Sequence, residues 1–209
     1  MKIKYKINPN FNTGTCFRFN RKHYKVILSK EEIERRVKEV AMQIYRKYGT
    51  KTEIVLTSVM SGGIRFGHLL STELSLLGVK VLEDYIGVSR YRGDKKTGKL
   101  SLYLKTKIDA TGKIRIVVED LVDEGDTMNF VHKYFQKEKS KALEYFVGIV
   151  KKGHKELLFK IDYNILTGSF GWLVGFGMDS FGLYRGWLFV AVRICIFKKY
   201  LKNKTKELN

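Results

Sequence analysis

Short apolar runs rich in β-branched residues alternate with helix-like stretches along most of this chain. The runs are "EIVLTSVM", "VKVLEDYIGV", "KIRIVV" and "LEYFVGIV", and the helix-like stretches among them are "IRFGHLLSTELSLLG" and "TMNFVHKYFQKEK". This alternation is typical of βαβ units, whose strands form a mainly parallel sheet. The sequence therefore predicts an α/β fold with a central sheet flanked by helices, in a single domain spanning residues 1–209.

The clearest helix lies near the amino terminus, over "LSKEEIERRVKEVAMQIYRKYGT". Ser29 and Glu32 have the spacing of a capping box, and apolar residues then recur at helical spacing. Gly49 is suited to end the helix. The polar, glycine-containing stretch "SRYRGDKKTGKL", residues 89–100, instead predicts a mobile loop.

Polar clusters follow three of the predicted strands directly. They are "SGG" after the first run, "EDLVDEGDT" after "IRIVV" and "KKG" after "LEYFVGIV". In parallel sheets, ligands bind beyond the carboxyl ends of the strands. The three clusters are therefore the first candidates for a functional site.

Charge narrows the range of partners. The chain has 40 Lys and Arg against 21 Asp and Glu, a formal net charge of +19. Such an excess favours nucleic acid, a phosphorylated small molecule or an acidic surface, although solvated lysines account for it equally well. Cys16 and Cys195 match no zinc spacing, and the apolar run "GWLFVAVRICIF", which Arg193 interrupts, is too short to cross a bilayer. We expect a cytoplasmic protein without a membrane segment.

One acidic stretch stands out against this basic background. Five carboxylates fall between residues 119 and 126 in "VVEDLVDEGDTM". Gly125 permits an unusual backbone angle, and Thr127 begins a predicted helix, whose first N–H groups and hydroxyl could hold a phosphate. The carboxylates could bind ribose hydroxyls or Mg²⁺. An acidic loop that only caps a helix is the alternative.

The same stretch resembles the signature of type I phosphoribosyltransferases that bind 5-phosphoribosyl 1-pyrophosphate (PRPP). The chain is more narrowly similar to the hypoxanthine-guanine phosphoribosyltransferase family over about residues 26–193. Four further segments resemble family motifs in the same order: "SVMSGGIRFGHLL", "SRYRGDKKTG", "GIVKK" and "GWLVGFGMDSFGLYRGW". The resemblance implies the type I phosphoribosyltransferase fold, with a small hood subdomain built from the N- and C-terminal segments. The basic tail from about residue 198 falls outside it.

The resemblance implies a role for each residue of the PRPP site. Glu119 and Asp120 would bind the ribose hydroxyls, and the 5′-phosphate would lie against Glu124, Gly125, Asp126 and Thr127. Ser61, Gly62 and Arg185 would bind pyrophosphate, with a non-proline cis peptide in the first of these segments. Arg90 and Tyr91 belong to the loop that would close over the site. Mg²⁺ would be the cofactor, held near Glu119, Asp120 and Asp179.

Purine recognition is implied in the same way. Asp123 would be the acid/base facing N7 of the purine, Trp172 would stack on the ring, and Leu173 would offer its backbone. Lys151 would donate to the 6-oxo group, with Lys152 as the alternative donor. Asp179 would also border the purine. The substrates would be PRPP and a purine base, in a homodimer or homotetramer.

Several positions depart from the family pattern. Glu124 replaces a hydroxyl residue in the phosphate loop, and Asp126 adds a second acid. We expect both side chains to turn outward, so that backbone N–H groups carry the phosphate. Ser61 and Arg90 also differ from many relatives.

The departures leave other functions open. The first is a nucleic-acid-binding regulator on the same fold, favoured by the basic, aromatic segment "FRFNRKHYK". A sensor that binds PRPP without turnover is the second. A transferase acting on another base, such as xanthine, is the third.

Overall fold

The computed structural model describes residue 8 and residues 10–92 and 95–194, and for residues 90–92 and 95–98 this description is limited to the backbone. In chain order the elements are β1 (Cys16–Phe19), β2 (Lys22–Leu28), α1 (Lys30–Tyr48), β3 (Glu53–Met60), α2 (Ile64–Leu76), β4 (Lys80–Arg92), β5 (Lys95–Leu104), β6 (Ile114–Val122), α3 (Asp126–Phe135), β7 (Ala142–Lys151), β8 (Tyr163–Gly168), β9 (Leu173–Val174) and β10 (Val190–Ile194). The predicted basic tail lies outside the described residues.

The larger sheet has the strand order β5-β4-β3-β6-β7-β8. Every neighbouring pair is parallel except β4 and β5. The four apolar runs of the sequence become β3, β4, β6 and β7, so the prediction of a mainly parallel sheet is confirmed. Because these strands are parallel, their carboxyl ends meet along one edge of the sheet.

The smaller sheet supplies the predicted hood. Its order is β1-β2-β10-β9, and all of its pairs are antiparallel. Strands β1 and β2 come from the amino-terminal part of the chain, whereas β9 and β10 come from the carboxyl-terminal part. An aromatic cluster that includes Phe17, Tyr24 and Phe189 packs on this sheet.

Helix α1 forms as its sequence predicts. The Ser29 hydroxyl accepts a hydrogen bond from the Glu32 N–H at 3.2 Å, and Gly49 ends the helix with a positive φ of 64°. The helix buries Ile33, Val37 and Ile44 at helical spacing. Among the described residues, no helix is both long and apolar enough to cross a membrane.

The predicted mobile loop at residues 89–100 is wrong for the described part of that range. Strand β4 continues to Arg92, and β5 begins at Lys95 and pairs with it in the antiparallel sense. An edge strand pairs through its backbone and tolerates polar and lysine-rich sequence, so an apolar pattern need not mark it. The structure describes only the backbone of Arg90 and Tyr91, so the roles predicted for their side chains stay predictions.

The core lies on both faces of the larger sheet. Along β6, Ile116 and Val118 pack into the cluster beneath α1 and α2, whereas Val117 packs into the cluster beneath α3. This alternation follows from the two-residue period of a strand. Burial on both faces fixes β6 in the middle of the sheet, and its carboxyl end therefore has a defined position.

One buried cation ties several elements together. The Arg115 side chain, on β6, is 0% exposed and donates to both carboxylate oxygens of Glu138 at 2.6 Å. It also donates to Thr57 on β3 and to Asp84 on β4, the latter at 3.4 Å. Its guanidinium lies over the ring of Phe135 in α3, 4.6 Å from the centroid.

Replacing Arg115 with Leu should lower the free energy of unfolding by about 3–5 kcal/mol, because buried carboxylates would lose their counter-charge. Urea denaturation measures this change. Lys113→Ala is the matched control, since its pair with Glu53 at 3.8 Å is partly exposed, and we expect a loss of at most about 1 kcal/mol. Equal stability of Arg115→Leu and wild type would contradict this account of the core.

Candidate active site

A cavity of about 330 Å³ opens at the carboxyl ends of the central strands. Residues from the ends of β3, β6 and β7 line it, together with the segment that connects β8 to β10. The predicted site residues among its lining are Ser61, Gly62, Glu119, Asp120, Asp123, Thr127, Lys151, Trp172, Leu173, Asp179 and Arg185. The structure thus brings together residues that are up to 124 positions apart, from 61 to 185.

Glu119 and Asp120 occupy the floor of this cavity. Each is 7% exposed, and the Asp120 N–H donates to the Glu119 carboxylate at 3.0 Å. Glycine backbones approach them closely: a Cβ at Gly62 would lie 2.4 Å from Asp120 Oδ2, and one at Gly177 would lie 3.2 Å from the same atom. Larger residues at these two positions would displace the carboxylate.

Burial changes the protonation of both acids. Burial raises the pKa of Glu119 well above the usual carboxyl value, and the charge and hydrogen bond of Asp120 raise this pKa further. Burial also raises the pKa of Asp120, although the hydrogen bond with Glu119 and the positive charge of Arg185 act in the opposite direction. Two desolvated carboxyls therefore adjoin in a cavity where the positive charge of Arg185 offsets only part of the cost of their burial.

The segment after β3 forms one wall. The peptide bond between Met60 and Ser61 is cis, as the family resemblance implies. Ser61 is exposed, Gly62 is buried, and both line the cavity. Helix α2 begins at Ile64, immediately after Gly63.

The turn between β6 and α3 forms a second cavity of about 260 Å³, lined by residues 121–128. Gly125 has a positive φ of 91°, and the first intrahelical bond runs from the Asn129 N–H to the Gly125 carbonyl at 3.0 Å. The N–H groups before Asn129, at the amino terminus of α3, have no acceptor within the helix. The geometry suits an anion.

The two unexpected acids are among the residues that line this cavity. Glu124 is exposed, and both carboxylate oxygens of Asp126 accept from Lys155 Nζ at 2.9 Å. Sequence reasoning missed Lys155, whose only signal was a third lysine in "KKGHK".

At the end of β7, the two candidate lysines separate. Lys151 lines the larger cavity and its Nζ lies 3.0 Å from Asp123 Oδ2. Lys152 is exposed and its backbone N–H donates to the Gly168 carbonyl, while its side chain does not line that cavity. Lys151 is therefore the lysine positioned beside Asp123.

The segment from Trp172 to Arg185 forms the opposite wall. Trp172 is 55% exposed, whereas Leu173 is 3% exposed. Arg185 contacts Asp179 at 2.6 Å and donates to the Gly177 carbonyl at 2.5 Å. Asp179 also accepts from the Gly182 N–H at 2.6 Å. Apolar lining residues that the sequence analysis missed are Val59, Met60, Val88, Leu121 and Met178.

A Mg²⁺ ion fits this donor set. Among the described residues, no group of three or more His, Cys, Asp or Glu is placed to hold a metal alone. Mg²⁺ is commonly held by one or two carboxylates together with substrate phosphates and water. The adjacent carboxyls of Glu119 and Asp120, whose desolvation a cation would relieve, satisfy that pattern.

This combination of parallel sheet, acidic strand end and anion-binding turn is that of a phosphoribosyltransferase. Residues 23–180 match the phosphoribosyl transferase domain family. The chain belongs to this family of transferases, within its hypoxanthine-guanine branch, and the predicted fold and family are confirmed.

Individual relatives support the placement. The chain is 31% identical over 159 residues to the hypoxanthine-guanine phosphoribosyltransferase of Aquifex aeolicus, covering 76% of this chain and 88% of that protein. A crystal structure of the Bacillus anthracis hypoxanthine-guanine phosphoribosyltransferase has a TM-score of 0.72 at 30% identity, covering 81% of this chain and 97% of the other. The bifunctional protein PyrR of Gloeothece citriformis is 34% identical to this chain over 144 residues, covering 66% of this chain and 79% of that protein.

The raised pKa of Glu119 predicts a pH-dependent stability. Because folded Glu119 keeps its proton to a higher pH than unfolded Glu119, it costs stability once the pH rises through its folded pKa. In metal-free protein, Glu119→Gln should therefore melt at a higher temperature than wild type near about pH 8, and the difference should shrink towards pH 4.5.

Thermal melts in chelator across this pH range measure the effect. Glu156→Gln, at an exposed position, is the matched control and should differ little from wild type at any pH. A Glu119→Gln protein that melts below wild type at high pH would contradict the assignment of a desolvation cost to this carboxyl.

Proposed function

We propose that this protein transfers the 5-phosphoribosyl group of PRPP to N9 of a 6-oxopurine, hypoxanthine, guanine or xanthine, and releases pyrophosphate in purine salvage. The observation that carries the proposal is the convergence of three subsites at one sheet edge. The acidic pair Glu119 and Asp120 adjoins the anion-binding turn at Gly125, and the Lys151–Asp123 pair lies in the same cavity.

The PRPP subsite follows from this arrangement. Glu119 and Asp120 accept hydrogen bonds from the ribose 2′ and 3′ hydroxyls, and the backbone N–H groups from Glu124 to Thr127 hold the 5′-phosphate. A bound Mg²⁺ would neutralise the departing pyrophosphate and would be held near Glu119, Asp120 and Asp179. Fixing both ends of the ribose orients C1′ towards the purine.

Pyrophosphate departure involves the opposite wall. Ser61 and Gly62 offer backbone groups to pyrophosphate, and the Arg185 guanidinium supplies positive charge. Arg185 forms an ion pair with Asp179 at 2.6 Å. Ligand binding would replace this partly exposed ion pair by a pair between Arg185 and pyrophosphate, which strengthens as water is excluded.

The purine occupies the remaining side of the cavity. Trp172 stacks on the ring, the Leu173 backbone meets the ring edge, and Lys151 donates to the 6-oxo oxygen. Asp123 faces N7 and holds or accepts a proton there, so that N9 becomes the better nucleophile as C1′ develops positive charge. The 3.0 Å contact between Lys151 and Asp123 keeps both groups on one side of the cavity.

We also propose that the protein works in the cytoplasm as a homodimer or homotetramer. The cysteine usage supports the compartment, and the family resemblance supports the assembly.

A nucleic-acid-binding regulator is the second candidate function. The similarity to PyrR and the exposed Arg18, Arg21 and Lys25 of the amino-terminal hairpin favour it. A regulator of this kind requires no turnover with a purine base, and turnover therefore separates the two candidates.

Wild-type protein given PRPP and Mg²⁺ should form a nucleotide from hypoxanthine, guanine or xanthine. Asp123→Asn should lower kcat by about 10²- to 10⁴-fold, because it removes the acid/base group. Chromatographic assay of nucleotide and pyrophosphate measures both. No turnover with any of the three bases, alongside intact PRPP binding, would overturn the salvage proposal in favour of a regulator or sensor.

Substituting the two lysines separately tests the purine contact. Lys151→Ala should raise the KM for the purine by about tenfold or more and leave the KM for PRPP within about threefold, because one charge-assisted hydrogen bond is lost. Lys152→Ala is the matched control and should resemble wild type. The reverse result would transfer the purine contact to Lys152.

A further inference from the structure

Asp126 poses a problem for the anion-binding turn. It is the first residue of α3, next to the N–H groups that the proposed function assigns to the 5′-phosphate. A carboxylate at a helix amino terminus is itself attracted to those N–H groups and to the positive end of the helix dipole. Asp126 could thus occupy the position that the phosphate needs, or repel the phosphate from it.

The Asp126 carboxylate is paired with a lysine. Both of its oxygens accept from Lys155 Nζ at 2.9 Å, and the Asp126 side chain is 27% exposed. The N-cap residue of α3 is Gly125. Because glycine has no side chain, the N-cap residue makes no side-chain hydrogen bond to the N–H groups at this end of the helix. The ion pair with Lys155 therefore engages both oxygens of this carboxylate with a cation.

Lys155 is itself fixed against the turn. Its backbone N–H donates to the Glu124 carbonyl at 3.0 Å. The following residues bind α3 through Asn129, whose side chain donates to the Glu156 carbonyl at 3.0 Å and accepts from the Leu158 N–H at 2.9 Å. Leu157 also packs closely over Gly125, because a Cβ at that glycine would lie 3.0 Å from Leu157 Cδ2.

We propose that Lys155 is a positioning residue of the phosphate turn, which holds the Asp126 carboxylate away from the amino terminus of α3 and so leaves that terminus open to the 5′-phosphate of PRPP. The inference rests on the proposed function, since it assumes that PRPP binds here. It assigns Lys155 an indirect role through Asp126 and no direct contact with substrate.

This role explains how an acidic residue is tolerated in the turn. The pair Asp126–Lys155 is neutral as a unit, so it adds little net charge beside a phosphate dianion. The lysine also comes from the segment that follows Lys151, so one loop serves both subsites. Lys151 would contact the purine, and Lys155, four residues later, would keep the phosphate position clear.

A double-mutant cycle on PRPP binding tests the proposal. Lys155→Ala should weaken PRPP binding by roughly 5- to 30-fold, because the released carboxylate competes for the helix terminus. Asp126→Asn should bind PRPP at least as well as wild type. The double variant Asp126→Asn/Lys155→Ala should recover to within about threefold of wild type, since it has no carboxylate to hold.

Calorimetric titration without a purine measures these affinities, so no turnover is needed. Inorganic pyrophosphate is the probe for the other subsite, and its affinity should be the same in all variants. Lys137→Ala, at an exposed position beyond the carboxyl end of α3, removes the same charge and should bind PRPP as wild type does.

The outcomes separate the explanations. A double variant as weak as Lys155→Ala would overturn the proposal, because it would mean that Lys155 contacts the phosphate itself or only supports the loop. Unchanged PRPP binding by Lys155→Ala would also overturn it. Failure of the wild-type protein to bind PRPP would instead overturn the proposed function, whereas PRPP binding without purine turnover would leave the inference testable by the same cycle.

Discussion

Three backbone segments converge on the Asp120 carboxylate, and the active-site cavity depends on that convergence. A Cβ at Gly62 would lie 2.4 Å from Asp120 Oδ2, and a Cβ at Gly177 would lie 2.3 Å from the Gly62 carbonyl oxygen. The end of β3, the end of β6 and the segment leading to the hood can therefore meet only with glycine at both positions. This contact sets the distance between the wall formed by Ser61 and Gly62 and the floor formed by Glu119 and Asp120.

The convergence has an energetic cost that the proposed function explains. Glu119 and Asp120 are desolvated side by side, and burial raises the pKa of each. Carboxyls placed in this way destabilise a folded protein at neutral pH unless a cation or hydrogen-bond donors reach them. In the proposed function, ribose hydroxyls would supply the donors and Mg²⁺ the cation. By contrast, Arg115, nearer the start of β6, donates hydrogen bonds to the Glu138 carboxylate and stabilises the same strand.

Much of the fold could be predicted from the sequence, because its signals are local. The capping box at Ser29 and Glu32 and the apolar runs of β3, β6 and β7 depend on residue patterns within one element. The β4–β5 pairing could not, since an edge strand pairs through its backbone and needs no apolar pattern. The candidate residues were found through the strand-end rule and the family resemblance, whereas Lys155 was missed because its partner Asp126 lies 29 positions away.

Proton release on PRPP binding is the most direct test of the central claim, that the two desolvated carboxyls at the end of β6 bind PRPP together with Mg²⁺. PRPP would be titrated calorimetrically into wild-type protein, with Mg²⁺ or with chelator, in two buffers of different ionisation enthalpy. The account predicts tight binding only with Mg²⁺, with release of protons from carboxyls whose pKa falls as the cation arrives. Binding of equal strength in chelator, without proton release, would contradict it.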